Sequence, residues 1–383
     1  VTPTPPIPTG TRDQDSSEAP ASFEAQASPE DQASSDDRRS FERRDSPEDQ
    51  GSFEALQQKL VPLWRSIKAL NSDPQTIVVV PSMSLESTIQ GVRQQAYEER
   101  FLFLLLLLRQ PRARLIYVTS QAVHMDVVDY YLDLLPGVIS VHAKKRLFLV
   151  SPLDGSARPL TQKLLERPQL LARIRALIPD RDRAHLVPFN TTPLERDLAT
   201  ALGIPMYGAD PRHLPFGTKS GARQIFAEAG VRHPLGMEGL KSADDLLDAI
   251  ATLRARKPSI RQLVVKLNEG VSGEGNAMLD LTAIPELPAP GDAGERAALA
   301  ARLQSMRYEL ADTTYDDYLA KLADRGGIVE ERIAGTDFRS PSAQLRITPL
   351  GDVEPLSTHD QVLGGASGQT YLGCRFPANV EYG

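Results

Sequence analysis

From Phe53 onward, apolar positions fall into short runs separated by stretches of helical spacing. "FEALQQKLVPLWRSI" (53–67) is spaced as a helix, and "QTIVVVPSM" (75–83) is a short apolar strand ending in a loop. Glu86 through Leu108 reads as a helix ended by Pro111, "ARLIYVTS" (113–120) as a strand, and "VVDYYLDLLPG" (127–137) as a helix stopped by Pro136 and Gly137. "RLFLVS" (146–151) and "AHLVPFN" (184–190) are strands on either side of a helix over 159–179. "TPLERDLATALG" is a helix with Gly203 as its C-terminal cap. Strands alternating with helices predict an open parallel sheet with helices on its faces, an α/β domain over 53–210.

A second unit begins near Pro211. "TKSGARQIFAEAGVRHP" (218–234) is a helix followed by a short extended piece. The helix over 242–258 opens on Ser242 with Asp245 three residues on, the spacing of a capping box. "VVKLNEGVSGEGNA" (264–277) is a strand that carries one lysine and breaks into a glycine-rich loop. After a linker rich in Pro, Ala and Gly (285–297) and a helix near 315–324, "GIVEERI" (327–333) is a strand. "SAQLRITPLGDVEPLST" (342–358) is a hairpin turning at Leu350-Gly351.

Composition changes this picture mainly at the N-terminus. Residues 1–52 hold 12 acidic and 5 basic side chains, so they carry the whole of the chain's net charge of −7. They are rich in Pro, Ser, Asp, Glu and Gln and too poor in large apolar residues to offset their ordering entropy, so they are expected to be disordered. The remainder is charge-balanced, which excludes the basic footprint of a nucleic-acid binder. "FLFLLLLLR" (101–109) is too short to cross a bilayer, which takes about 20 residues, and predicts a buried helix and no membrane partner. A single cysteine, Cys374, fits a reducing, cytoplasmic compartment and is expected to be buried packing. The pattern says nothing about oligomeric state.

The glycine loop can be tested against known phosphate loops. Gly270 and Gly275 satisfy the glycines of GxxxxGK[ST], but Asn276-Ala277 stands where Lys-Ser/Thr is required. Gly273-x-Gly275 begins a dinucleotide fingerprint, but Met278 occupies the third glycine position and a strand follows instead of a helix. Two readings stay open on this stretch alone. One is a hairpin whose glycines let backbone N–H groups approach phosphates under Lys266; the other is an ordinary hairpin with a solvent-facing Lys266.

Several longer stretches move that balance. "EERFLFLLLLLRQPRARLIYVTS", "VDYYLDLLPGV", "RPLTQKLLERP", "FGTKSGARQIFAEAGV", "VVKLNEGVSGEGNA" and "SPSAQLRITPLGDVEPLSTHDQVLGGASGQTYLGCRFPA" resemble the pheganomycin-type peptide ligases of the ATP-grasp superfamily. The resemblance implies a Rossmann-like pre-ATP-grasp domain (53–210), an ATP-grasp lid subdomain (211–333) and the start of a C-terminal subdomain (334–383). It implies ATP-dependent joining of a carboxylate to an amine, small molecules or peptides, with ATP and Mg²⁺. Lys219 and Lys266 would reach the phosphates, with Gly270, Gly273 and Gly275 forming the loop. Glu330, Glu331 and Ile333 of the hinge strand, and more weakly Asp337, would meet adenine and ribose. Arg339 and Arg346 suit a carboxylate or acyl-phosphate oxygen, and His359 an amine proton. Gly364, Gly365 and Gly368 would close a loop on substrate.

One departure stands out. The Glu-x-Asn pair that holds Mg²⁺ in this superfamily is absent after Ile333, so the metal ligands are unassigned. A ligase cut short at its C-terminus is the expectation, with a nucleotide-binding protein that does no chemistry as the alternative.

Overall fold

The computed structural model describes residues 47–68, 74–85, 91–270, 273, 275–282, 288–333, 335, 338–365 and 368–381. The expected disordered tail lies outside them as far as Ser46, but its last residues are helical: α1 (Pro47–Gln57) is followed by α2 (Leu60–Lys68). Then come β1 (Gln75–Val80), α3 (Val92–Arg100), a 3₁₀ helix (Phe101–Arg109) and β2 (Ala113–Val118). Next are α4 (Met125–Asp133), α5 (Ser140–Lys144), β3 (Leu147–Val150), α6 (Leu160–Leu165), α7 (Pro168–Ala176), β4 (Ala184–Pro188) and α8 (Pro193–Leu202). The four strands form a parallel sheet in the order β3-β2-β1-β4. Ile77 and Val79 enter one core cluster and Val78 and Val80 another, so β1 is covered on both faces. That is why its sequence is an unbroken apolar run and does not alternate.

Two expected helices differ from their prediction. The helix over 159–179 is broken into α6 and α7, with Pro168 at the first position of α7, where its missing N–H costs nothing. The run 101–109 is not α-helical. Three residues per turn put Leu102, Leu105 and Leu108 on one stripe, each at most 1% exposed, while Phe103 and Leu106 on another are 50% and 41% exposed. Only that first stripe is core, so the run is not buried all round as expected. Leu105→Ala is expected to cost about 2–5 kcal/mol in urea denaturation, and Leu106→Ala within about 0.5 kcal/mol. Equal losses would rule out the 3₁₀ register.

His185 on β4 is buried edge-on to the Tyr207 ring, and its Nδ1 has no hydrogen-bond partner among the described residues. Burial pushes its pKa down to about 4. The folded state therefore binds this proton less tightly than the unfolded chain does. Stability is full above the ordinary histidine pKa of about 6.5 and is lost as pH falls from there toward 4. His185→Leu should flatten this acid limb in denaturation measured across pH, and an unchanged limb would assign the loss to other groups.

The second unit opens with a 3₁₀ turn (Pro211–Gly217) and α9 (Lys219–Glu228), then β5 (Gly236–Leu240), α10 (Ala243–Arg256), β6 (Gln262–Leu267) and β7 (Asn276–Asp280). It continues through α11 (Glu295–Leu303), β8 (Arg307–Tyr308), α12 (Tyr315–Arg325) and β9 (Gly327–Glu331). These strands make an antiparallel sheet in the order β5-β9-β6-β7-β8. The helix α11 begins inside the segment expected to be a linker. Ser242 caps α10 through Asp245 N–H, but the returning arm of Asp245 goes to the amide of Lys241, so the capping box is only half made. One face of β6, with Leu263, Val265 and Leu267, packs in a core with α10, α11 and α12.

Last come β10 (Pro341–Ile347), β11 (Val353–Gly364) and β12 (Thr370–Arg375), a separate antiparallel sheet. The expected hairpin is present, with Gly351 at φ +88°. Cys374 is exposed and not buried, because its strand lies in a sheet where Leu345, Ile347, Val353 and Leu372 are themselves 60–73% exposed.

Candidate functional site

The hairpin β6–β7 and the start of α9 bring the sequence candidates together. Thr218 caps α9 by accepting from the Gly221 amide, which places Lys219 in the first turn. Asn268, one residue past β6, fixes that turn against the sheet. Its Oδ1 accepts from the Ser220 amide (3.0 Å) and Ser220 Oγ (2.7 Å), and its Nδ2 donates to the Arg325 carbonyl (3.0 Å). The loop then folds back. A Cβ on Gly270 would lie 3.7 Å from Lys219 Nζ and 3.3 Å from the Gly275 amide nitrogen, so the backbone passes close over the ammonium. Tyr318 of α12, 2% exposed, donates to the carbonyls of Val265 (3.2 Å) and Gly275 (3.0 Å) and pins the mouth of the hairpin.

Strand register decides which acidic residues belong here. Val264 pairs with Glu330 and Lys266 with Ile328, so Lys266 and Glu330 share the face of the sheet opposite the core. Glu330 is held by Lys266 Nζ on one oxygen and by Arg223 Nη1 (3.1 Å) on the other. Glu331, one residue on, points to the other face, where it accepts from the Lys257 ammonium and the Leu235 amide (3.2 Å). Burial alone would raise the Glu331 pKa, but the Lys257 ammonium and the Leu235 amide together outweigh it and the net is a lowered value. Ile333 lies two residues beyond β9 and is 57% exposed, so it is not on the expected strand. Asp337 lies outside the described residues.

The electrostatics favour an anion. The pKa of Lys219 is lowered, first by burial and then by the charge of Lys266; Glu269 and Glu330 offset part of this. Two ammonium groups thus repel across a half-buried space beside the Gly270 backbone. Triphosphate oxygens would relieve that repulsion. Protein ligands for Mg²⁺ are another matter: among the described residues no group of three or more His, Cys, Asp or Glu can hold a metal ion.

The remaining candidates separate. Arg339, Asp360 and Gln361 line a cleft of about 400 Å³ where the chain before β10 meets the middle of β11 and the end of β12, together with Arg375 and Asn379. Arg339 also pairs with Glu381 (3.0 Å). Arg346 lies elsewhere, paired with Glu354, its guanidinium 5.1 Å from the centre of the Trp64 ring, which itself stacks on Tyr207. His359 sits mid-strand opposite Ser342. The glycine loop touches the third sheet directly: at φ +92°, a Cβ on Gly273 would lie 3.0 Å from the Gln369 carbonyl and 3.4 Å from Thr370 Cα. Sequence reasoning missed Asn268, Arg223, Tyr318 and Arg375. A polar residue directly after the lysine strand was a signal for Asn268; for Arg223 and Tyr318 only the packing shows the role.

Comparison with known proteins follows the same division. Residues 118–204 match a family model described as a pre ATP-grasp domain, and residues 213–307 match one described as IQCH-like, ATP-grasp. The chain is 33% identical over 294 residues to L-propargylglycine–L-glutamate ligase of Streptantibioticus cattleyicolor, covering 74% of this chain and 57% of that protein. It is 26% identical over 371 residues to IQ motif-containing protein H of Danio rerio, covering 85% of this chain and 34% of that one. The chain thus spans about half of the first relative and a third of the second. Among solved structures, N5-carboxyaminoimidazole synthetase from Staphylococcus aureus complexed with ADP aligns at a TM-score of 0.41 and 8% identity, over 80% of this chain and 59% of that one, too loose a fit to build on. The first matched segment closes just after α8 and the second opens just before the lysine helix α9; the chain belongs to the ATP-grasp superfamily, a pre-ATP-grasp domain leading into an ATP-grasp domain.

Proposed function

We propose that this protein is an ATP-dependent ligase that joins a carboxylate to an amine through an acyl phosphate. The observation that carries the reading is the half-buried Lys219, set beside Lys266 and against the backbone of Gly270. In this reading the glycine amides and the two ammonium groups hold the triphosphate of ATP, and Glu330 orients Lys266. A carboxylate oxygen attacks the γ-phosphorus, the bond to the β-phosphate oxygen breaks, and ADP leaves. The amine nitrogen then attacks the acyl carbon, phosphate departs, and the nitrogen loses a proton, for which His359 is the candidate base. Positioning and charge neutralisation supply most of the catalysis in such a transfer. Mg²⁺, typical of the family, would add charge neutralisation at the phosphates when bound.

Arg339 and Arg375 at the 400 Å³ cleft suit the carboxylate substrate, since a guanidinium fork binds carboxylates bidentately. The name of the Streptantibioticus relative supports amino acids as both acid and amine, glutamate among them. Arg346, engaged with Glu354 and Trp64, is better suited to docking the third sheet on the first domain.

The test is ADP release with ATP, Mg²⁺ and pairs of amino acids including L-glutamate, with mass spectrometry for the amide. Hydroxylamine in place of the amine should trap the activated acid as a hydroxamate. The lack of a metal-binding cluster among the described residues favours a second reading, nucleotide binding without chemistry. Saturable ATP binding with neither ADP release nor hydroxamate would establish that reading and sink the ligase.

A further inference from the structure

The carboxyl ends of β1 and β4 lie side by side, and the strand order β3-β2-β1-β4 reverses between them. At such a reversal the following connections leave toward opposite faces of the sheet and open a crevice beyond the strand ends. Here the crevice is a built pocket of about 250 Å³, floored by Pro81 and Met83 beyond β1 and walled by residues of α3, the 3₁₀ helix and the turn after β4. The walls are aromatic. Phe101 stands edge-on to Phe189, with ring centres 5.3 Å apart at 84°, and Phe103 lies 5.8 Å from Phe101. Phe103 and Phe189 stay 50% and 45% exposed, an unusual price in wetted ring surface for side chains so close to a core.

One charge faces this apolar space. The Arg100 guanidinium lies over the Tyr97 ring, 4.7 Å from its centre, and no carboxylate among the described residues forms an ion pair with it. The ring face attracts the guanidinium charge without using its N–H donors, which stay available to bind a carboxylate bidentately. The volume suits a molecule of amino-acid size and is small for a nucleotide.

We propose that this pocket binds a small carboxylate bearing an aromatic or branched aliphatic side chain, the apolar group among Phe101, Phe103 and Phe189 and the carboxylate on Arg100. The site shares no residue with the lysine pair or the β11 cleft, and its occupation does not depend on the ligase reading.

The experiment is calorimetric titration of the full chain, without nucleotide, using L-phenylalanine, L-leucine and L-phenylalaninamide. Phenylalanine is expected to bind saturably, and the amide, which lacks the carboxylate, at least tenfold more weakly. Arg100→Gln should lower phenylalanine affinity at least tenfold, and Phe103→Ala should lower it several-fold. Both side chains are exposed, so circular dichroism and ATP affinity should be unchanged in each variant. Undiminished ATP binding separates this site from the nucleotide site. No saturable binding at millimolar ligand, equal binding of acid and amide, or phenylalanine affinity indifferent to Arg100→Gln would each overturn the proposal.

Discussion

Lys219→Met is expected to move two properties in opposite directions: ATP affinity falls while the free protein becomes more stable. The affinity argument is charge. A charge-assisted contact to a phosphate oxygen contributes about 1.5–3 kcal/mol, so ATP should bind roughly 10- to 150-fold more weakly, with adenosine little affected. The stability argument is the depressed pKa of Lys219, caused by burial and then by Lys266. The folded state holds this proton less tightly than the unfolded chain, so the charged lysine destabilises the fold below its folded pKa. That cost fades as pH rises through the folded pKa toward the ordinary lysine value. Methionine fills similar space without charge, so its gain in melting temperature should be largest at neutral pH and shrink on the alkaline side. Equal loss of ATP and adenosine, or a lower melting temperature at neutral pH, would falsify the placement of Lys219.

Glu330→Ala is expected to be the most damaging single change near the site. The carboxylate has a side-chain exposure of 11% and sits between Lys266 (18%) and Arg223 (7%). Removing it leaves Lys266 without this partner and Arg223 with Glu238 and the Pro234 carbonyl alone. Breaking a buried pair by deleting one member costs about 3–5 kcal/mol. Urea denaturation at neutral pH measures this, with an unchanged slope as the sign that only stability moved. A loss below about 1 kcal/mol, the behaviour of an exposed pair, would contradict the geometry. Lys266→Ala separates the two lysines: it removes a phosphate contact and one of Glu330's partners, so ATP affinity and stability should fall together.

The parallel sheet was legible because its strands are short apolar runs punctuated by cap and turn residues. The hairpin at Lys266 was legible because glycines there break a strand pattern that resumes at Asn276. The run 101–109 was not, because a stretch that is apolar at every position carries no period, and only packing chooses between three and 3.6 residues per turn. The pairing of Glu330 with the lysines could not be read either. Neighbouring Glu330 and Glu331 look equivalent in sequence, and the register of β9 on β6 alone sends one to the lysines and the other to Lys257. Cys374 failed as an expectation of surroundings, and Arg346 stands in surroundings that its sequence did not announce. An arginine suited to a carboxylate serves equally over an indole ring, and a lone cysteine is buried only where a second layer covers its strand. Asn268 was within the quoted stretch, but its value comes from reaching Ser220 and Arg325 at once, a property of three elements meeting.

The contact of Gly273 with Gln369 and Thr370 sets a clock. A free glycine hairpin rearranges in nanoseconds to microseconds, fast enough that its opening would never limit turnover. Here Gly273 lies so close to Gln369 and Thr370 that a Cβ would be 3.0–3.4 Å from their backbone, and Thr370 opens β12, whose sheet is tied to Glu309 through Thr370 and to Trp64 through Arg346. If this loop covers a nucleotide, as the ligase reading has it, release would require a sheet to shift and not merely a loop, which would place it among the microsecond-to-millisecond motions of whole subdomains. On that reading the off-rate of ADP would be governed by residues remote from the phosphates, and loosening Arg346 from Trp64 should quicken it.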